Sequence, residues 1–202
     1  MALEVFVKCL SKVPQTVSGD AFWYAESGPR LWALVVDGLG SGVPAAEAAR
    51  RAVGCVTEAI ERLSGTSFEP RMAMHDMVTD TDRVLRRTRG AALGLAFFDA
   101  QRREGHFLGV GNIEMRVMGC SACVRPVATP GIVGGGLHRL RVETFSYTPS
   151  SLIVMHSDGL SSRFELSSPI EPSLSLREIG EGLVAAHAKN DDLTLLMVKQ
   201  HA

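Results

Sequence analysis

The sequence predicts an α+β fold, with two antiparallel sheets stacked as a sandwich and helices covering the outside. Three observations lead there. Short apolar runs fall before and after a pair of helical stripes, and such segregation argues against a doubly wound parallel sheet. The run 31–36 is apolar throughout, as a strand covered on both faces must be. The runs 31–36 and 152–156 end at acids, and 193–198 begins after two, so carboxylates stand where strands leave the core.

Residues 2–9 and 18–26 read as strands connected through Pro14, the second opening at Ser18-Gly19-Asp20. Leu31 to Val36 forms the central strand, which stops at Asp37 and passes into the turn Gly38-Leu39-Gly40-Ser41-Gly42. Glycines there let the backbone turn sharply and approach a ligand. Ser41 suits a helix N-cap and Pro44 a first helical turn. Val43, Ala46, Ala49, Val53, Val56, Ile60 and Leu63 then recur at spacings of three and four, giving one apolar stripe, which ends at Ser64-Gly65. The segment 69–89 repeats the pattern through Met74, Met77, Val78, Thr81 and Leu85, with its methionines read as core. After Gly90 the period changes, and 91–99, 104–110, 115–119 and 123–127 read as an antiparallel meander. Residues 129–136 are too glycine-rich for regular structure and predict a mobile loop, either closing over a substrate or simply joining two strands. Strands at 139–147 and 151–157 follow, then a polar surface excursion over 161–173. A third helix carries Leu176, Ile179, Leu183 and Ala186, and the strand 193–199 closes the chain.

The 202 residues suit one domain, 1–202, and a net charge of −1 offers no polyanion-binding surface, so no nucleic-acid partner is expected. Arg50, Arg51, Arg86, Arg87, Arg89, Arg102 and Arg103 lie among acids and read as solvated faces. Glu4 and Lys8 interrupt the first apolar stretch, which makes a poor signal peptide, and no run is long enough to span a membrane. Four scattered cysteines fit reduced thiols in a cytoplasmic protein; Cys120-Ser121-Ala122-Cys123 has no second pair and reads as a turn. His156 reads as a core histidine with a backbone partner, and the other histidines share no spacing. Arg139 and Arg141 alternate along a strand and face either phosphate or solvent.

The chemistry lies in the acids. A carboxylate at a strand edge is costly to desolvate without a partner. If the edges at Asp20, Asp37, Asp158 and Asp191-Asp192 meet, their mutual repulsion demands cations. Donors that are all oxygen favour magnesium or manganese.

Ser18-Gly19-Asp20, Asp37-Gly38-Leu39-Gly40-Ser41-Gly42, Ser157-Asp158-Gly159 and Asn190-Asp191-Asp192-Leu193-Thr194 resemble the acidic motifs of the metal-dependent protein phosphatase 2C family, in order and at similar spacing across nearly the whole chain. Gly109-Val110-Gly111-Asn112-Ile113 is similar to the short bacterial sporulation and stress-response branch. The resemblance implies a four-layer αββα sandwich with two divalent cations, Mn2+ or Mg2+, at one end of the strands. It implies that Asp37 bridges the two metals and that the Gly38 carbonyl completes one shell. Asp158 and Asp191 would bind one metal and Asp20 the other through water, with Asp192 ranked below Asp191.

The implied activity is hydrolysis of phosphoserine or phosphothreonine by a metal-activated water, with no phosphoenzyme. The implied partners are phosphorylated scaffold proteins of a bacterial stress-signalling complex, the stressosome, and a monomer is expected. Two departures stand out. Leu39 and Ser41 flank the place where larger relatives carry a histidine, and Gly111-Asn112 replaces a Gly-Asp pair that serves a third metal. The missing histidine leaves room for a silent binding module of the same fold, and the site chemistry alone permits another two-metal phosphohydrolase.

Overall fold

The computed structural model describes residues 3–14, 16–119, 123–137, 139–165 and 174–200. In chain order they form β1 (Leu3–Leu10), β2 (Asp20–Ser27), β3 (Arg30–Gly38), α1 (Val43–Leu63), α2 (Pro70–Leu85), β4 (Ala91–Asp99), β5 (Glu104–Val110), β6 (Glu114–Met118), β7 (Glu143–Ser146), β8 (Leu152–His156), α3 (Leu176–His187) and β9 (Leu193–Gln200). Two antiparallel sheets result, in the orders β2-β3-β4-β5-β7 and β1-β9-β8-β6.

Side-chain parity along β3 shows why the chain stacks in layers. Leu31, Ala33 and Val35 point into a core shared with Ile153, Met155, Leu196 and Val198 of the facing sheet. Trp32, Leu34 and Val36 point the other way, against Ala49, Val56, Met74 and Val78 of α1 and α2. A third apolar layer lies outside the second sheet, where Val154, Leu195 and Met197 meet Ile179 and Leu183 of α3. Three apolar interfaces make four layers, helices–sheet–sheet–helix, which is the αββα arrangement. Since β3 is covered on both faces, its run has no polar alternation. Among the described residues, no helix is long and apolar enough to cross a membrane.

Several expectations give way. The expected meander does not form, because β6 leaves the sheet of β4 and β5 and pairs with β8 in the other one. Apolar pattern marks a strand but does not choose its neighbour. Residues 123–127 form no strand beyond a single bridge of Val124 to Val117, and the rest of the CxxC turn lies outside the described residues. The strand expected at 139–147 shrinks to Glu143–Ser146, and α2 ends at Leu85. Ser41 does not cap α1: the N-cap is Gly42, at φ 73°, with no side-chain cap. Met74 and Met77 are core, whereas Met72 is exposed.

The loop 129–136 is pinned and packed. Val133 exchanges two backbone hydrogen bonds with Ala91, and the buried Asp82 carboxylate accepts from the Gly134 (2.7 Å) and Gly136 (3.2 Å) amides. The excursion after Ser161 starts in the core: Phe164 is 2% exposed, and 166–173 lie outside the described residues.

Candidate functional site

Strand pairing brings the first two acids together. Asp20 opens β2 and sits directly across from Asp37 near the end of β3. The parity that aims Val35 at the facing sheet aims Asp37 the same way. In that facing sheet β8 runs out at His156 and β9 begins at Leu193, so Asp158 and Asp191 leave from neighbouring strand ends.

Ser157 ties the two sheets at this point. Its hydroxyl donates to Asp20 Oδ2 (2.6 Å) and accepts from the Thr194 amide (2.9 Å). Its own amide donates to the Thr194 carbonyl (3.0 Å). The Asn112 amide spans two acids, donating to Asp158 Oδ2 (2.8 Å) and Asp37 Oδ2 (3.3 Å).

The electrostatics record the crowding. Burial pushes the Asp20 carboxyl up to about 7, helped by the charge of Asp37 and opposed by the Ser157 hydrogen bond. Burial and then the charge of Asp158 push Asp37 up to about 6, with Asp191 and Asp192 adding to the effect and the Asn112 bond opposing it. A buried carboxylate facing like charges protonates or recruits a cation. Asp158 is exposed and Asp191 half so, which leaves the cluster open to solvent.

The two adjacent acids have different jobs. Both Asp192 oxygens are engaged, Oδ1 by the Lys12 amide and Oδ2 by the Gly19 amide, each at 2.7 Å. Asp192 therefore clasps the β1–β2 connection onto the start of β9. Among the described residues, Asp191 accepts only the Asp192 amide (2.9 Å) and lies 3.9 Å from the Lys12 ammonium.

Two glycines make the corner possible. A Cβ on Gly38 would stand 2.1 Å from the Ala45 carbonyl oxygen in the first turn of α1, and one on Gly159 would stand 2.0 Å from that of Asp192. Beside the turn that follows Asp37, a Cβ on Gly40 would lie 2.6 Å from Arg89 Nη1. Leu39, at the position flanking the expected histidine, is exposed.

His156 is a core histidine, 1% exposed, with Nδ1 donating to the Ser157 carbonyl (2.9 Å). Burial holds the ring below the ordinary histidine value. Sequence reasoning missed Ser157 and Lys189, whose ammonium donates to the Asp158 carbonyl (2.5 Å). Ser157 was visible only as the residue before Asp-Gly, and nothing local marks the inter-sheet bond it makes.

The donors are all oxygen, which suits a hard dication. Among the described residues, no three carboxylates, imidazoles or thiolates yet close on one ion-sized point. The Asn112 amide stands between Asp37 and Asp158 and takes up the negative charge there.

The layered fold is the architecture of protein phosphatase 2C. The serine/threonine phosphatase PstP/Ppp of Mycobacterium tuberculosis superposes with a TM-score of 0.75 at 10% identity, covering 100% of both chains. A profile of the Stage II sporulation protein E (SpoIIE) family matches residues 27–201, and the chain belongs to that family. Phosphoserine phosphatase RsbX of Bacillus subtilis (strain 168) is 23% identical over 197 residues, 96% of this chain and 94% of its own. The crystal structure of RsbX in complex with magnesium superposes with a TM-score of 0.81 at 22% identity, covering 98% of this chain and 96% of its own. A structure described as "The bacterial stressosome: a modular system that has been adapted to control secondary messenger signaling" gives a TM-score of 0.81 at 26% identity, covering 98% and 99%.

Proposed function

We propose that this chain is a cytoplasmic, metal-dependent protein phosphatase that hydrolyses phosphoserine or phosphothreonine on bacterial stress-signalling proteins, stressosome components among them. The observation that carries the reading is the meeting of Asp20, Asp37, Asp158 and Asp191 at one end of the two sheets, where two of the four carboxyls already strain against deprotonation. Membership of the SpoIIE family and likeness to the RsbX phosphoserine phosphatase support the same activity.

The donors divide between two cations, magnesium or manganese. Asp37 would serve both ions and the Gly38 carbonyl would complete one shell, Asp158 and Asp191 would hold one ion, and Asp20 would hold the other through water. When bound, such ions acidify a water and neutralise charge on the phosphoryl group. The chain's own residues prepare that site. Ser157 fixes the Asp20 carboxylate from the facing sheet, and the Asp192 clasp keeps the β1–β2 connection beside it. Gly38 and Gly159 let α1 and β9 pack close behind the acids. The Asn112 amide, which bonds both Asp37 and Asp158, would have to release them for the two carboxylates to hold an ion.

Purified protein should hydrolyse a phosphoserine peptide only with magnesium or manganese, and Asp37→Asn should abolish turnover. Activity that survives chelation would refute this reading. The Asn112 bridge, which leaves the metal-free acids partly satisfied, favours one rival: a silent module of the same fold. Metal binding without turnover on any phosphoprotein would establish that rival.

A further inference from the structure

A cavity of about 420 Å³ opens beside Asp158, and Asn112, Arg116, Arg125 and Lys189 also line it. Its charges do not cancel. Arg116 is spent on structure: it is 3% exposed, lies 3.5 Å from Glu114, and donates to the Phe164 (3.2 Å) and Ser162 carbonyls. Glu114 is spent in turn, on Arg116 and on the Ser162 hydroxyl (2.5 Å). Asp158 belongs to the proposed metal cluster. Arg125 and Lys189 remain, and among the described residues neither forms an ion pair with a carboxylate. The Lys189 bond to the Asp158 carbonyl fixes its ammonium at the mouth of the cluster. The lining also has an apolar stretch, Pro126, Val127 and Ala128, and Val127 is 64% exposed. Arg116 Nε is buried with no hydrogen-bond partner among the described residues.

We infer that this cavity binds the polypeptide flanking the phosphorylated residue and selects substrates with acidic side chains there, through Arg125 and Lys189. The inference rests on the phosphatase reading and deepens it. With the phosphoryl group at the acids, the adjoining chain lies along Pro126 and Val127. The two cations then meet its carboxylates, and oppositely charged rims chiefly set partner choice.

The test compares phosphoserine peptides that differ only in flanking residues, glutamate against lysine, with an aryl phosphate as a substrate that has no flank. The metal-loaded wild type should favour the acidic peptide by roughly fivefold to tenfold in kcat/KM, as expected for two exposed charge pairs. Arg125→Glu should cancel or invert that ratio, mainly through KM, and Lys189→Ala should lower it by roughly threefold. An unchanged ratio in Arg125→Glu would overturn the assignment. So would an equal loss on the aryl phosphate, which would place these cations on the phosphoryl group itself. Fluorescence anisotropy of the same labelled peptides separates the two readings. Preferential binding of the acidic peptide, lost in Arg125→Glu, would uphold the cavity even if no peptide were hydrolysed and the phosphatase reading fell.

Discussion

Replacing Asp37 by asparagine should push stability in opposite directions with and without metal. The Asp37 carboxyl is held at about 6 instead of 3.8, by burial first and then by the charge of Asp158. That shift corresponds to a penalty of about 3 kcal/mol on its charged form. In chelator at alkaline pH, Asp37→Asn removes the charge, relieves Asp20 of its opposed neighbour, and keeps a group that can meet the Asn112 amide. The metal-free variant should therefore unfold at higher urea than the wild type, by on the order of 1–3 kcal/mol once the lost Asn112 charge-assisted bond is discounted. Saturating magnesium should reverse the order. Ligand at a thousandfold excess over its dissociation constant stabilises the folded wild type by about 4.1 kcal/mol, whereas the variant, lacking the proposed bridging carboxylate, should gain almost nothing. The assay is urea unfolding followed by circular dichroism, with and without magnesium. A metal-free variant less stable than the wild type would refute the crowding argument. An undiminished gain with magnesium would refute the bridging role.

Three further outcomes are expected. Asp20 and Asp37 titrate at about 7 and about 6 when folded, above their ordinary value of 3.8, so the folded state holds more protons across that window. Stability of the chelated protein should accordingly fall, by on the order of a few kcal/mol, as pH rises from about 4 to about 8 and then level off; magnesium affinity by titration calorimetry should rise over the same range. Asp82→Ala strips the acceptor from the Gly134 and Gly136 amides and should cost about 1–3 kcal/mol, with faster hydrogen exchange at those two amides. Gly159→Ala drives a Cβ to 2.0 Å from the Asp192 carbonyl, so it should cost about 3 kcal/mol in thermal unfolding and weaken magnesium binding by shifting Asp158.

Much of the architecture was legible locally. The stripe from Val43 to Leu63 became α1 with those bounds, and the runs 91–99 and 104–110 became β4 and β5. Helical spacing and strand burial are properties of a short window, so a short window reports them. What failed was partner choice. Residues 115–119 read as the next strand of a meander, yet β6 pairs with β8 in the other sheet. The glycines at 129–136 read as freedom, yet Asp82, 52 residues away from Gly134, holds the loop down.

The sequence by itself determined which residues could bear the chemistry: acids set where apolar runs stop, with glycines beside them, because the cost of burying charge confines carboxylates to such edges. Only the tertiary structure decided how they are used. Asp191 and Asp192 are neighbours with the same side chain, but the Gly19 and Lys12 amides engage both oxygens of Asp192 and leave Asp191 available. Likewise Ser157 and Lys189 gain their roles from Asp20 and Asp158, 137 and 31 residues away. A hydrogen bond depends on where two distant segments come to rest, and that position is set by the packing of two sheets, not by either segment alone.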